Sequence, residues 1–181
     1  MSQYRKMTRD ERTMLNRALD RWGVFEIMKE KNFLIKQDDN VKKVCLVSDE
    51  QALLQQFCES GLVIGEMTKQ FAPTLQGADL FFRSAGCNNL YVKVNENAEK
   101  LVLYGRDVMG DSIIDAPKTL SENVLVAIIN SNREVIGLGR TRFGSDLVLQ
   151  KGKITITTIS DAGQYLRDED DEKSAKMTRS R

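Results

Sequence analysis

Positive charge is concentrated between residues 133 and 153. This run has a local net charge of +3, from five basic and two acidic residues: Arg133, Arg140, Arg142, Lys151 and Lys153 against Glu134 and Asp146. Alternate residues of a β-strand point to the same face. Arg140 and Arg142 are therefore predicted to share one face of a strand, and Lys151 and Lys153 to alternate in the same way across Gly152. Four such cations on neighbouring β segments indicate a surface that follows nucleic-acid phosphates, with an ordinary solvated barrel face as the alternative.

Two glycines lie within this basic stretch, in the run IGLGR over residues 136–140. A glycine-rich phosphate loop requires GxGxxG before a helix, or GxxxxGK[ST], and the run fits neither pattern. We interpret Gly137 and Gly139 as strand residues whose small size permits a bulge or the close approach of another backbone.

Candidate catalytic groups are few. The chain has no histidine, which excludes Ser-His and Cys-His nucleophile pairs and histidine metal sites. Its three cysteines are widely spaced without a CxxC pair, which indicates small core residues in a reducing compartment: Cys45, Cys58 and Cys87. Asp107, Asp111 and Asp115 recur at intervals of four but match no metal-loop pattern. We therefore expect no catalytic residue, no metal and no cofactor.

The whole chain of 181 residues has a net charge of only +1, but this near-neutrality is a cancellation. Residues 1–22 carry six basic and three acidic groups, net +3, whereas residues 23–85 carry seven and nine, net −2. The helix predicted in the first of these segments has basic residues opposite its apolar side, which predicts a second basic face formed by Arg12, Arg17 and Arg21. Hydrophobic residues at 41% suffice for a packed core and predict a soluble globular protein.

The first half predicts an α/β arrangement. Thr8 and Glu11 have the spacing of a capping box, and the helix that they begin ends before Gly23. NFLIK and VKKVCLV flank polar turn residues and predict a hairpin. Ser48 and Gln51 predict a second capping box, with a helix that ends before Gly61. Residues 62–82 predict short strands broken at Gly65 and Gly77, with a helical turn over residues 78–83 as the alternative.

The second half is rich in predicted strands. Small and polar residues over 84–89 mark the boundary, and about six strands follow, with one short helix after Gly105. The clearest strand segments are NLYVKV, NVLVAII, EVIGLGRTRF, DLVLQ and KITITTI. This density of short strands predicts a small barrel or pseudobarrel. Arg106 follows Gly105, and we expect it to approach a nucleic-acid phosphate at the N-terminus of the short helix.

The two ends of the chain carry mostly polar residues. The N-terminal segment has no apolar stretch of the kind found in secretory signals, and no apolar run approaches the length of a membrane span. We therefore expect an intracellular protein with no membrane partner. The last residues, 168–181, combine an acidic block with scattered bases and predict a charged flexible tail.

Several short motifs in the second half are similar to a known domain. The runs KLVLYGRDVM (100–109), VLVAII (124–129), IGLGR (136–140) and GKI (152–154) resemble a PUA domain, the RNA-binding pseudobarrel of pseudouridine synthases and archaeosine transglycosylases. DAGQYLR (161–167) together with LYG (103–105) more specifically resembles the Nip-seven (nuclear import protein seven) family of ribosome biogenesis factors, in its archaeal form. In that family a pre-PUA domain precedes the PUA domain.

The resemblance implies an α+β fold with an N-terminal α/β pre-PUA domain over residues 1–86, a PUA pseudobarrel over 87–167 and the tail. It implies a non-catalytic, monomeric factor that binds U-rich pre-rRNA and assists large-subunit rRNA maturation. The implied partners are pre-ribosomal particles, other assembly factors and the exosome. The implied location is the cytoplasm, or the nucleolus and nucleus in a eukaryote. The RNA-binding residues are expected to be Arg106, Arg140, Arg142, Lys151 and Lys153.

One departure from the archaeal pattern concerns the position of the basic residues. Bases are expected directly after Ser145 and Asp146, whereas this chain has Leu147 and Val148. Two functions of other classes remain as alternatives: an RNA-modifying enzyme with a PUA module, and an adaptor that binds only proteins. A first half of about 85 residues is short for a catalytic domain of that kind.

Overall fold

The computed structural model describes residues 3–38, 41–53, 61–85, 90–164 and 167. The chain divides into two compact units, Met1–Asn89 and Leu90–Arg181. This division falls three residues after the boundary expected between residues 86 and 87. Each unit has its own sheet.

In its described residues the first unit combines a five-stranded antiparallel sheet with four helices. The strands, in the spatial order β1-β2-β3-β4-β5, are β1 (Gln3–Lys6), β2 (Asn32–Asp38), β3 (Val41–Val47), β4 (Leu62–Met67) and β5 (Phe71–Pro73). The helices are α1 (Arg9–Arg21), α2 (Phe25–Met28), α3 (Asp49–Leu53) and α4 (Leu75–Ala85). The β2–β3 pairing, from Asn32 opposite Val47 to Asp38 opposite Val41, confirms the predicted hairpin. Its central turn residues lie outside the described ones.

Helix α1 begins and ends where the sequence predicts. Thr8 Oγ1 accepts a hydrogen bond from Glu11 N, and Glu11 Oε2 accepts one from Thr8 N, so the capping box is formed. Leu15 and Leu19 are completely buried on the sheet side of the helix. Gly23 follows the last turn with φ of 70°, a left-handed conformation that glycine adopts without a steric cost.

Glu11 also links three elements of this unit. Its side chain is buried and accepts hydrogen bonds from Arg5 of β1, at 2.6 and 2.7 Å, and from Lys42 of β3, at 3.0 Å. The hydrogen bonds from Arg5 hold the pKa of the Glu11 carboxyl well below its usual range, although burial opposes this effect. A buried carboxylate is tolerated here because both cations reach it.

Two glycine predictions in the first unit are wrong. Gly77 is not a breaker but lies inside α4, where an added Cβ would come 1.8 Å from the Ile64 carbonyl oxygen. Gly65 lies within β4, paired with Val44 and Pro73. Both glycines serve close packing, and the helical alternative for residues 78–83 is correct and extends over all of α4. The second capping box, Ser48 with Gln51, is confirmed, while the expected helix end before Gly61 lies outside the described residues.

The second unit contains a six-stranded sheet that is nearly closed, as expected of a pseudobarrel. The strands, in the spatial order β7-β11-β10-β9-β6-β8, are β6 (Tyr91–Val94), β7 (Val108–Met109), β8 (Ile113–Asp115), β9 (Leu125–Ile129), β10 (Val135–Thr141) and β11 (Ile154–Asp161). Only the β6–β9 pair is parallel among the pairings described. The core of this unit includes Val92, Val102, Ile128 and Ile156, each fully buried.

Two predictions for the second unit are corrected by the structure. The helix lies before Gly105, as α5 (Glu96–Leu103), and the segment directly after Gly105 leads instead to a short 3-10 turn, Gly110–Ser112. Asn95 caps α5, because its side chain accepts a hydrogen bond from Ala98 N. DLVLQ is a series of turns instead of a strand: Ser145 N donates to Leu120 O and Val148 N to Gly144 O, while the Val148 side chain enters the core.

Candidate nucleic-acid interface

The two arginines of the predicted cationic strand do share a face. Arg140 lies in β10 opposite Thr157 of β11. Arg142, directly after β10, donates from Nε to Thr157 Oγ1 at 2.7 Å. The intervening Thr141 is buried and points inward, where its Oγ1 accepts from Val124 N and donates to Ser121 O. The alternation that the sequence predicts therefore places both guanidinium groups on the exposed side of the β10–β11 pair.

Arg140 is held lightly against the segment that precedes β9. Its Nη1 lies 3.3 Å from both the backbone oxygen and Oδ1 of Asn123, a residue with φ of 59°. These are long, weak hydrogen bonds. The Nε and Nη2 groups make no hydrogen bond with any residue that the structure describes. Arg140 therefore keeps donors available for an incoming phosphate.

Arg142 forms an ion pair with Asp107, a residue distant from it in the sequence. Its Nη2 lies 3.2 Å from Asp107 Oδ2, and Asp107 Oδ1 accepts from Thr158 N at 3.0 Å. The Arg142 side chain is 46% exposed, so the ion pair contributes less than about 1 kcal/mol. Asp107 positions the arginine and partly neutralises it. The sequence signal for Asp107 was weak, because 35 residues separate the two.

The two lysines lie next to β11 and not on it. Lys153 directly precedes the strand, and its Nζ lies 5.9 Å from the centre of the Phe143 ring, within cation–π range. Lys151 is exposed in a turn with Gly152, whose φ is 73°. The predicted alternation across Gly152 is therefore wrong, because a left-handed residue breaks the extended conformation that alternation requires. Lys153 therefore lies at the end of the β10–β11 pair where Arg142 is exposed. Lys151 precedes it by two residues in the turn.

Arg106 follows the C-terminus of a helix and not an N-terminus, which corrects the expectation for this residue. Its backbone N donates to Leu101 O, while Gly105 N donates to Val102 O with Gly105 at φ of 73°. These bonds form the Schellman motif that ends α5. The backbone oxygen of Arg106 accepts from Thr158 Oγ1 at 2.8 Å, and its side chain is exposed. Arg106 can offer its own charge to RNA but no helix dipole of the favourable sign.

The family-like motifs at 103–105 and 161–167 pack together. Arg167 donates to both carboxylate oxygens of Asp161, at 2.8 and 3.0 Å, and to the backbone oxygen of Leu103. Asp161 is buried, and a Cβ on Gly163 would collide with the same Leu103 oxygen. These contacts fasten the chain after β11 to the C-terminal end of α5, so the two motifs have a structural role.

The second basic face predicted on α1 does not exist as one surface. Arg12 packs over the Phe33 ring at 5.0 Å and donates to Lys29 O. Arg17 and Arg21 instead line a cavity that also includes Lys69. Five residues on a helix correspond to a rotation of about 140°, whereas four correspond to about 40°, so Arg17 pairs with Arg21 and not with Arg12. Lys69 lies far from α1 in the sequence, which carried no signal for its position.

Within the parts of the chain that the structure describes, no group of three or more acidic or cysteine residues is arranged to hold a metal ion. Every helix in those parts is too short or too polar to cross a lipid bilayer.

Comparison with known proteins identifies two family domains in succession. The pattern described as "NIP7/UPF0113, pre-PUA domain" matches residues 4–75, and that of the "UPF0113 PUA domain" matches residues 90–170. A UPF0113 protein of Archaeoglobus fulgidus is 30% identical over 168 residues, which cover 91% of this chain and 94% of that protein.

Solved structures support the fold. A conserved PUA domain protein from Thermoplasma acidophilum superposes with a TM-score of 0.65 at 12% identity, covering 90% of this chain and 95% of that one. A hypothetical protein from Pyrococcus horikoshii gives a TM-score of 0.66 at 15% identity, covering 88% and 94%. With its first unit matching the pre-PUA pattern and its second the PUA pattern, the chain belongs to the NIP7/UPF0113 family.

Proposed function

We propose that this protein is a non-catalytic RNA-binding factor whose PUA unit holds RNA on the exposed side of the β10–β11 pair. The observation that carries the proposal is the common orientation of Arg140 and Arg142, which lie opposite and diagonal to the same residue, Thr157. Family membership supports RNA as the ligand. Lys153 and Lys151 extend the cationic surface beyond the arginines, and Arg106 adds a charge from the turn next to Thr158.

The chemistry of this surface suits binding. Guanidinium groups present donors in a planar fork that matches phosphate oxygens, and several donors of Arg140 are unused by the described residues. No catalytic constellation of described residues adjoins them, and the carboxylate that contacts Arg142, Asp107, also accepts a hydrogen bond from Thr158 N. The arrangement supports electrostatic positioning of an RNA backbone.

The test is a fluorescence-anisotropy titration of the full chain with a U-rich single-stranded RNA at several salt concentrations. The variant Arg140→Gln/Arg142→Gln should bind at least tenfold more weakly, and the slope of log affinity against log salt should fall by about 1.4, because each single-strand phosphate contact contributes about 0.7.

A matched control removes two charges from the other end of the same unit. Lys100→Gln/Arg133→Gln alters α5 and the β9–β10 turn, which a hydrogen bond from Asn130 Nδ2 to Glu99 Oε1 joins. This control should retain nearly the full salt slope. Equal losses in the two double variants would mean that only net charge matters and would refute the assigned surface.

We further propose that the bound RNA is U-rich pre-rRNA, and that the protein assists maturation and assembly of the large ribosomal subunit in the cytoplasm. Pre-ribosomal particles, other assembly factors and the exosome are the proposed partners. Crosslinking the protein to RNA in cells and sequencing the bound fragments tests this role. Fragments enriched in large-subunit precursor RNA are expected, and a distribution that follows general RNA abundance would contradict it.

A further inference from the structure

The first unit contains a cavity with an unusual concentration of positive charge. It has a volume of about 410 Å³ and lies between α1 and the turn that joins β4 to β5. Its charged lining consists of three bases and one acid, net +2: Arg17, Arg21, Lys69 and Asp10. Met14, Ala18 and Phe71 supply apolar lining, and the Phe71 side chain is buried.

The three cations of this lining are exposed side chains. Among the residues that the structure describes, Arg17, Arg21 and Lys69 make no hydrogen bond or ion pair. Arg17 and Arg21 are four residues apart on α1, a spacing at which like charges repel. Other basic residues of the same unit are engaged: Arg5 and Lys42 bind Glu11, and Arg12 packs on Phe33. An anion in the cavity would relieve the repulsion between its cations.

The apolar lining indicates that the anion has a second, non-ionic part. The cavity is open to solvent on one side, and its volume is large enough to hold a small molecule. Arginine guanidinium planes are surfaces on which a nucleobase stacks, and the partly exposed Met14 and Ala18 side chains supply apolar contact beside them. Asp10 repels phosphate but accepts hydrogen bonds from ribose hydroxyls or base N–H groups. Phosphate, base and sugar each have a suitable neighbour.

We propose that this cavity binds a nucleotide, with its phosphate held by Arg17, Arg21 and Lys69 and its base against Met14 and Ala18. The nucleotide is either free or part of an RNA strand. The site is separate from the cationic surface of the PUA unit, and only the choice of a uridine probe rests on the proposed function.

The experiment is isothermal titration of the full chain with UMP, inorganic phosphate and a U-rich oligonucleotide. Lys69→Gln should weaken binding about tenfold, the value of one charged hydrogen bond, either of UMP or of the oligonucleotide titrated into the Arg140→Gln/Arg142→Gln background, in which the PUA surface is weakened. The control Lys31→Gln makes the same chemical change at an exposed position of this unit outside the cavity and should leave binding unchanged. Ala18→Phe fills the cavity without changing its charge and should abolish the binding that depends on Lys69, with folding checked by the fluorescence of Trp22.

The titrations with UMP and with the oligonucleotide distinguish a free nucleotide from one within an RNA strand. Lys69-dependent binding of UMP supports a free nucleotide, and dependence seen with the oligonucleotide alone supports a nucleotide within RNA. Equal effects of Lys69→Gln and Lys31→Gln, normal binding by a folded Ala18→Phe variant, or phosphate binding as tight as UMP would overturn the proposal. If the Arg140→Gln/Arg142→Gln variant bound RNA with normal affinity, that result would contradict the proposed function and would leave the nucleotide proposal intact.

Discussion

The carboxylate of Asp107 should restrain RNA binding, and its removal should strengthen it. Asp107 Oδ2 lies 3.2 Å from Arg142 Nη2, and Oδ1 accepts from Thr158 N. The variant Asp107→Asn is nearly isosteric and keeps an Oδ1 acceptor for Thr158 N. It removes one negative charge and releases Arg142 from its ion pair, so the guanidinium group becomes fully available to a phosphate.

The size of the effect follows from distance. A phosphate on another edge of the Arg142 guanidinium group would lie about 6 to 7 Å from the Asp107 carboxylate. At the dielectric constant of water, repulsion over that distance is about 0.6 kcal/mol, or about threefold in affinity. At 0.1 M salt the screening length is about 10 Å, which roughly halves this energy and leaves a gain of about 1.7-fold.

Anisotropy titrations of Asp107→Asn with U-rich RNA at low salt and at 0.1 M salt measure both values. Glu96→Gln is the control, because it removes one exposed acid from the first turn of α5 in the same unit. We expect a gain in the Asp107 variant that shrinks with salt and a smaller change in the control. Unchanged or weakened low-salt binding in a folded Asp107→Asn variant would refute the placement of RNA beside Arg142.

Three further predictions concern stability, measured by urea unfolding. In the first unit the single tryptophan, Trp22, is buried and reports by fluorescence. Glu11→Gln should cost about 2 kcal/mol, because it leaves two cations without a charged partner. The pKa of Glu11 is lowered in the folded state, so its contribution to the free energy of unfolding is present above the ordinary glutamate pKa of about 4.3 and should decline as pH falls below that value. If the Glu11→Gln variant lost the same stability at acid pH as the wild type, this assignment would be wrong. Gly77→Ala should cost about 2 kcal/mol despite better helix propensity, because its Cβ would meet Ile64 O. In the second unit Asp161→Asn should lower stability by about 1 to 3 kcal/mol by removing the charge that holds Arg167, and hydrogen exchange at Gly105 N should speed up; unchanged exchange would argue against this closure.

Local signals in the sequence identified the elements whose chemistry lies within a few residues. The Thr8–Glu11 capping box, the β2–β3 hairpin and the apolar β9 strand were all predictable, since caps, turns and alternation act over short distances. The same locality explains the errors. Glycine commonly interrupts helices and strands, so the sequence predicts a break at Gly77. The backbone of β4 lies against this position, which makes glycine necessary within α4.

Candidate binding residues divide in the same way. The common face of Arg140 and Arg142 followed from strand periodicity and is observed. Lys151 and Lys153 were assigned to one strand because the sequence does not reveal that Gly152 adopts a left-handed turn. Arg106 was assigned to a helix start because the short helix was placed on the wrong side of Gly105.

The sequence by itself determined the absence of histidine chemistry, the cancellation of charge, the family-like motifs and the periodicity that orients two arginines. Only the tertiary structure decided which charges meet. Asp107 reaches Arg142 because β11 brings their segments together, and Lys69 joins Arg17 and Arg21 because the β4–β5 turn packs beside α1. Electrostatic energy depends on separation in space, and separation along the chain does not specify it.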